Sequence, residues 1–347
     1  KAMETFRFIV STIDDFMFMT QGCSDELQTV LARNGICNQV STVISLFLKS
    51  SERLLQNAFR VVCLLSCRKL DESTSYIHEN IEIFGLTDIV KVNVVSAMLR
   101  YEDSLLMMKW TTKTVKILSC NVDNRIKFGN CGVCHALLHV GNRYASDSPN
   151  EAAVLWVLEA IESVCWDNTE NRLSCIHHGI CEFIKTAMIR FVLVETIVIK
   201  GCVLIQMVLM AHDPMATSQN TRSAEEISAD QDVFRNKLLH LSYCEMLSDC
   251  VVMYQRKSSQ YLQTGTETHN QGQGQGMECI LDASSHVNSV HGSDVSVEVC
   301  RTLVMLLRPS PPSSSSSSST PSTAERGAVP GTEGETLSSM YHLFPPP

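Results

Sequence analysis

Apolar positions along this chain recur at helical spacing. Val133, Leu137, Leu138 and Val140 fall on one face of a 3.6-residue helix, and Ile180, Phe183, Ile184 and Met188 do the same. Longer apolar runs predict helices over 53–67, 105–120, 150–165, 191–210 and 295–307. Residues 191–210 are about long enough to cross a bilayer, but Glu195, Lys200, Gly201 and Gln206 interrupt them. A charge at the centre of a span costs roughly 2.5 to 3.5 kcal/mol, so the segment reads as a buried helix and no membrane partner is expected.

A short cassette repeats between these runs: Asn34-Gly35-Ile36-Cys37, Cys131-Gly132-Val133-Cys134 and His178-Gly179-Ile180-Cys181. A version without Cys follows Phe84 as Gly85-Leu86, and the four glycines step by 50, 47 and 47 residues. That spacing lies near the roughly 40 to 47 residues of a helical repeat unit. Asn124-Arg125 and Asn171-Arg172 each stand eight residues before their cassette's glycine from Asn, and Phe234-Arg235 precedes a degenerate copy at Ser242-Tyr243-Cys244-Glu245. A short first helix is expected to end at Gly35, Gly85, Gly132 and Gly179, which accept the left-handed or crowded backbone of a tight turn. A second helix then starts with the cassette Cys in its first turn, and the longer runs supply a third.

The units so defined are about 23–71, 72–122, 123–167, 168–213 and 231–308, with 1–22 holding the third helix of a unit that begins upstream of Lys1. Polar stretches at 213–230 and 257–290, the latter with a Gln-Gly alternation, are expected to be flexible insertions. Residues 309–347 are rich in Ser and Pro and cannot bury enough apolar surface to offset their ordering entropy, so a disordered tail is expected. Ser310-Pro311 and Thr320-Pro321 are its candidate phosphorylation sites.

With these repeats the chain resembles the armadillo-repeat family over roughly residues 1–308. The likeness is closest at Glu151-Ala152-Ala153-Val154-Leu155-Trp156-Val157-Leu158-Glu159-Ala160-Ile161, then Asp167-Asn168, Asn171-Arg172 and Gly179-Ile180. The resemblance implies an all-α fold, an armadillo-type α-α superhelix in which three-helix repeats form a right-handed solenoid. It also implies a concave groove, lined by third helices, that binds a protein or peptide partner without catalysis. Nuclear-import adaptors of this family pair a groove Trp with an Asn four residues later. Here Trp110 is followed by Thr114 and Trp156 by Ala160, which removes that mechanism. The groove candidates are Trp110, Lys113, Thr114, Trp156 and Glu159, with Lys116 beside them, because aromatic anchors flanked by charge suit a peptide site.

Composition agrees with helices: 44% of residues are hydrophobic and only 6% aromatic. A formal net charge of -9 argues against tracking nucleic-acid phosphates and favours basic or apolar partners. The 15 cysteines are scattered through apolar helical stretches and read as reduced core residues. No Asn-x-Ser/Thr acceptor occurs, in keeping with a cytoplasmic or nuclear chain.

Cofactor chemistry has two candidates within residues 131–181. Cys131-Gly132-Val133-Cys134-His135 fits the pattern for covalent haem attachment. Zinc has Cys131, Cys134, Cys165, Cys175, His177, His178 and Cys181 to draw on. The repeat already accounts for Gly132 and Cys134, and helix layers are expected to hold the thiols of adjacent repeats roughly 10 Å apart. No cofactor or metal is therefore expected. Neither a nucleophile elbow, a phosphate-binding loop nor a His-Glu-x-x-His motif is present, and the acids at Asp14-Asp15 and Glu79 to Glu82 read as solvated helix faces, so no enzyme is expected.

Overall fold

Short polar side chains decide where the helices begin. Ser51 and Ser104 hydroxyls accept from the backbone N–H of Leu54 and Met107, and the Asn150 side chain accepts from Ala153. Asn121 and Asn168 do the same for Asn124 and Asn171. The structure, a computed structural model, describes residues 25–67, 76–209, 224–254, 295 and 297–307.

The first unit holds α1 (Asp25–Arg33), α2 (Ile36–Phe47) and α3 (Glu52–Ser66). The second holds α4 (His78–Gly85), α5 (Val94–Arg100) and α6 (Leu105–Leu118), with a π-helical turn, Ile89–Asn93, leading into α5. α7 (Val122–Asn130), α8 (Val133–Ser146) and α9 (Glu151–Cys165) make the third. α10 (Thr169–His177), α11 (Ile180–Arg190) and α12 (Glu195–Leu209) make the fourth. α13 (Ala224–His240) follows, and residues 243–254 and 297–307 are also helical. Among the described residues there is no strand, only an isolated antiparallel bridge between Cys67 and Tyr76. No helix among them is long and apolar enough to cross a membrane; α12 starts at Glu195, after Phe191 has ended α11.

Helices of the same rank pack on one another. The third helices α3, α6, α9 and α12 form one row, α5, α8 and α11 a second, and α1, α4, α7 and α10 a third. The described residues between 25 and 307 thus make one unit with a continuous apolar interior. Phe59, Phe84, Phe128, Phe183 and Phe234 are fully buried in it, as are the cassette cysteines Cys37, Cys134 and Cys181.

Two ladders of hydrogen bonds cross the boundaries between units. Buried Asn80 donates to the carbonyl of Leu65 at the end of α3 (2.6 Å) and to Gln28 of α1 (3.4 Å). Asn124 donates to Leu118 (3.1 Å) and Ile81 (3.2 Å), and Asn171 to Val164 (2.9 Å) and Arg125 (3.0 Å). Each amide therefore meets a carbonyl from the last turn of one third helix and another from the preceding first helix. The second ladder uses tyrosines. Tyr101 donates to Leu48 (3.1 Å), Tyr144 to Glu102 (2.9 Å) and Tyr254 to Val192 (2.7 Å), each in the loop before the previous third helix.

Gly35, Gly132 and Gly179 stand immediately before α2, α8 and α11 with φ of 85°, 81° and 91°, the left-handed region. Ser242, in the degenerate copy, holds the same conformation at φ 56°. Gly85 corrects the sequence reading. It ends α4 without a left-handed φ, and a Cβ there would lie 2.0 Å from Asn124 Oδ1. Gly129 faces Asn171 Oδ1 in the same way, at 1.8 Å. Phe84-Gly85 thus corresponds to Phe128-Gly129, three residues before the turn. Space for the amide, and not the turn, requires glycine at both.

A second correction concerns the insertion at 213–230, because 224–230 belong to α13. The expected third helix at 1–22, the insertion at 257–290, residues 213–223 and the tail at 309–347 lie outside the described residues.

Two substitutions test the ladder and the turn in opposite directions. Asn124→Ala leaves two buried carbonyls without a donor and is expected to lower unfolding free energy by about 2 kcal/mol. Ser242→Gly relieves a left-handed residue bearing a Cβ and is expected to raise it by about 1 kcal/mol. Urea unfolding of the two variants checks both signs.

Candidate functional site

The third-helix row carries the groove candidates. Trp110 of α6 and Trp156 of α9 sit four residues after Leu106 and Ala152, both exposed, and pack their ring bodies against the apolar interior. Each ring therefore has one side on the core and an edge toward solvent. The Arg60 guanidinium of α3 lies 5.5 Å from the Trp110 ring centroid, and Lys109 Nζ lies 5.2 Å from Trp110 and 5.8 Å from Trp156. Arg60, Trp110, Lys109 and Trp156 form a cation–aromatic chain across three helices, with each contact worth about 0.5–1 kcal/mol when partly solvated.

Acids on the same face are matched to lysines. Lys116 of α6 pairs with Glu159 of α9 at 3.1 Å, and Lys200 of α12 with Glu162 of α9 at 2.6 Å. These pairs tie neighbouring third helices and are partly solvated, so each contributes under about 1 kcal/mol. Lys113 is partly buried. Thr114 is a correction: its side chain is fully buried, with Oγ1 3.5 Å from Cys63 Sγ, because it falls on the face of α6 that packs on α3. It has no surface to offer a partner. Sequence reasoning missed Arg60 and Lys109; the cluster of Lys109, Trp110 and Lys113 was the available signal, whereas Arg60 gives none on its own.

The haem-like motif resolves into residues of different surroundings. Cys131 Sγ meets the carbonyls of Phe128 (3.2 Å) and Val90 (3.5 Å), in its own and the preceding unit. Cys134 Sγ meets the carbonyl of Asn171 (3.6 Å) in the following one. His135 is exposed, its ring centroid 6.2 Å from His139 and 5.2 Å from His178. His139 in turn meets Glu102 at 2.7 Å.

Cysteines of adjacent units do come together, against the sequence reading. Cys165 and Cys175 sulfurs stand 3.5 Å apart, with Cys134 as their neighbour. All three are fully buried, because α8, α9 and α10 converge at one corner. The neighbouring thiols Cys165 and Cys175 hold the Cys134 thiol well below the usual thiol range, and Cys134 holds the other two well above it. His177 and His178 stay on the surface and Cys181 packs against the next unit, where it accepts the Tyr243 hydroxyl at its carbonyl. Among the described residues no group of three His, Cys, Asp or Glu side chains has an arrangement that holds a metal ion. Of the acids at 79–82, Glu79 pairs with Arg33 of α1 at 2.6 Å, and that hydrogen bond lowers its pKa. Asp14-Asp15 lie outside the described residues.

Burial pushes the thiols of Cys37, Cys181 and Cys202 up to about 12, against 9.0 for a free thiol. As pH rises past 9 the unfolded chain ionises at these positions and the folded chain does not. The folded state then binds more protons, and its stability falls through that window until the folded thiols also ionise near pH 12. Equilibrium unfolding between pH 8 and 11 is expected to show this loss, up to about 1.4 kcal/mol per unit for each thiol, and Cys202→Ala is expected to flatten it.

No family model matches this chain, and comparison with curated proteins and with solved structures likewise gives no match.

Proposed function

We propose that this protein is a non-catalytic scaffold of the armadillo-like kind, whose stacked repeats curve into a right-handed solenoid and hold a polypeptide partner along the third-helix row. The chain of Arg60, Trp110, Lys109 and Trp156 carries this reading. Tryptophan and arginine supply most of the energy at protein interfaces, because a rigid ring with a flat cation offers large contact area at low entropic cost. Here they lie on helices held in place from behind, so they are positioned before a partner arrives. Leu106, 56% exposed on α6, extends the same row with apolar surface. A cytoplasmic or nuclear setting, with the thiols reduced, fits this use.

Selection of a random-peptide phage library on the immobilised full chain tests the reading. Enriched peptides are expected to bind in solution by fluorescence polarisation, and Trp110→Ala or Trp156→Ala is expected to weaken them about ten-fold or more. A selection that enriches nothing, or peptides that bind both variants unchanged, would reject it.

A further inference from the structure

Within the third-helix row the charges are unequally matched. Glu159 and Glu162 each have a lysine at hydrogen-bonding distance, and Glu52 accepts from Gln56 at 2.8 Å. The cations at the α3–α6 end differ. Among the described residues Arg60 has Trp110 as its neighbour and no acid, and its Nε is buried without a hydrogen-bond partner. Lys109 lies between the two tryptophan rings, again with no acid, and Arg53 is exposed about two turns before Arg60 on α3.

A ring face attracts a cation but leaves its charge in place, and a partly desolvated guanidinium is stabilised further by an anion. Resting on the proposed polypeptide-binding role of this row, we infer that its α3–α6 end receives an acidic peptide segment. Carboxylate side chains would bond Arg60 and Lys109, and apolar side chains between them would lie on Trp110 and Trp156. This local arrangement runs opposite to the net charge of -9, which suggested basic partners. Net charge sets the long-range field, which salt screens over about 10 Å, whereas the docked contact is decided by the groups it touches.

The peptides enriched on the full chain provide the test. They are expected to be rich in Asp and Glu, and each is remade with Asn and Gln at those positions. Affinity is expected to drop about ten-fold on that exchange, and similarly for wild-type peptides on Arg60→Gln or Lys109→Gln chains, with Lys91→Gln as a control outside the row. Circular dichroism melting of the variants separates lost binding from lost fold, and Lys109→Gln serves alone if Arg60→Gln unfolds. Neutral or basic enriched peptides that need Trp110 overturn the acidic assignment and leave the scaffold reading standing. Acidic peptides indifferent to both cations also overturn it, as does an oligouridylate RNA that binds more tightly than any peptide through the same two residues. An absence of enriched peptides removes both.

Discussion

The last turn of a helix ends in carbonyls without intrahelical donors, and in this protein the ends of the third helices are buried between neighbours, out of reach of water. Asn80, Asn124 and Asn171 supply the missing N–H groups. An asparagine amide carries two donor hydrogens, so one side chain serves a third helix and the preceding first helix together. The register between units follows from this, because the amide reaches both carbonyls only where the first helices stack one unit apart. Gly85 and Gly129 keep open the space that the Asn124 and Asn171 side chains enter. Tyrosines tie the opposite ends of three pairs of neighbouring units in the same manner, whereas Phe191, at the corresponding end of α11, has no hydroxyl to offer.

With register fixed at both ends, the third helices present their outer faces in line. The alignment, and no single residue, makes the cation–aromatic chain: Arg60, Lys109, Trp110 and Trp156 come from three helices and meet only when α3, α6 and α9 keep step. The interior is uniform by comparison, filled with aliphatic side chains, phenylalanines and small thiols that pack closely. Thiols are weak hydrogen-bonding groups, and three of them gather at the α8, α9 and α10 corner.

The spacing of apolar residues and the recurring Gly-Ile/Val-Cys cassette were sufficient for the helical class and three of the four turn glycines. Ser242 shows how far the pattern reaches, since the degenerate copy keeps the left-handed turn with a residue that resists it. The same alignment misplaced Gly85, because two different demands, a positive φ at Gly132 and room for an amide at Gly129, both select glycine. Trp110 and Trp156 were visible as candidates. Thr114 was not separable from them, since a helix turns about 100° per residue and a small phase error moves a side chain from solvent to core.

What the sequence determined by itself is therefore local: where helices start, where they turn, and which stripe of each is apolar. These depend on neighbours a few residues apart, joined by backbone geometry and capping bonds. Tertiary structure decided which stripes face each other. It brought Arg60 to Trp110, Asn171 to Arg125, and Cys134 to Cys165 and Cys175, pairs separated by 50, 46, 31 and 41 positions. Such pairings depend on the rotation and offset between packed helices, which accumulate from every side chain in the interface and leave no mark at any one position.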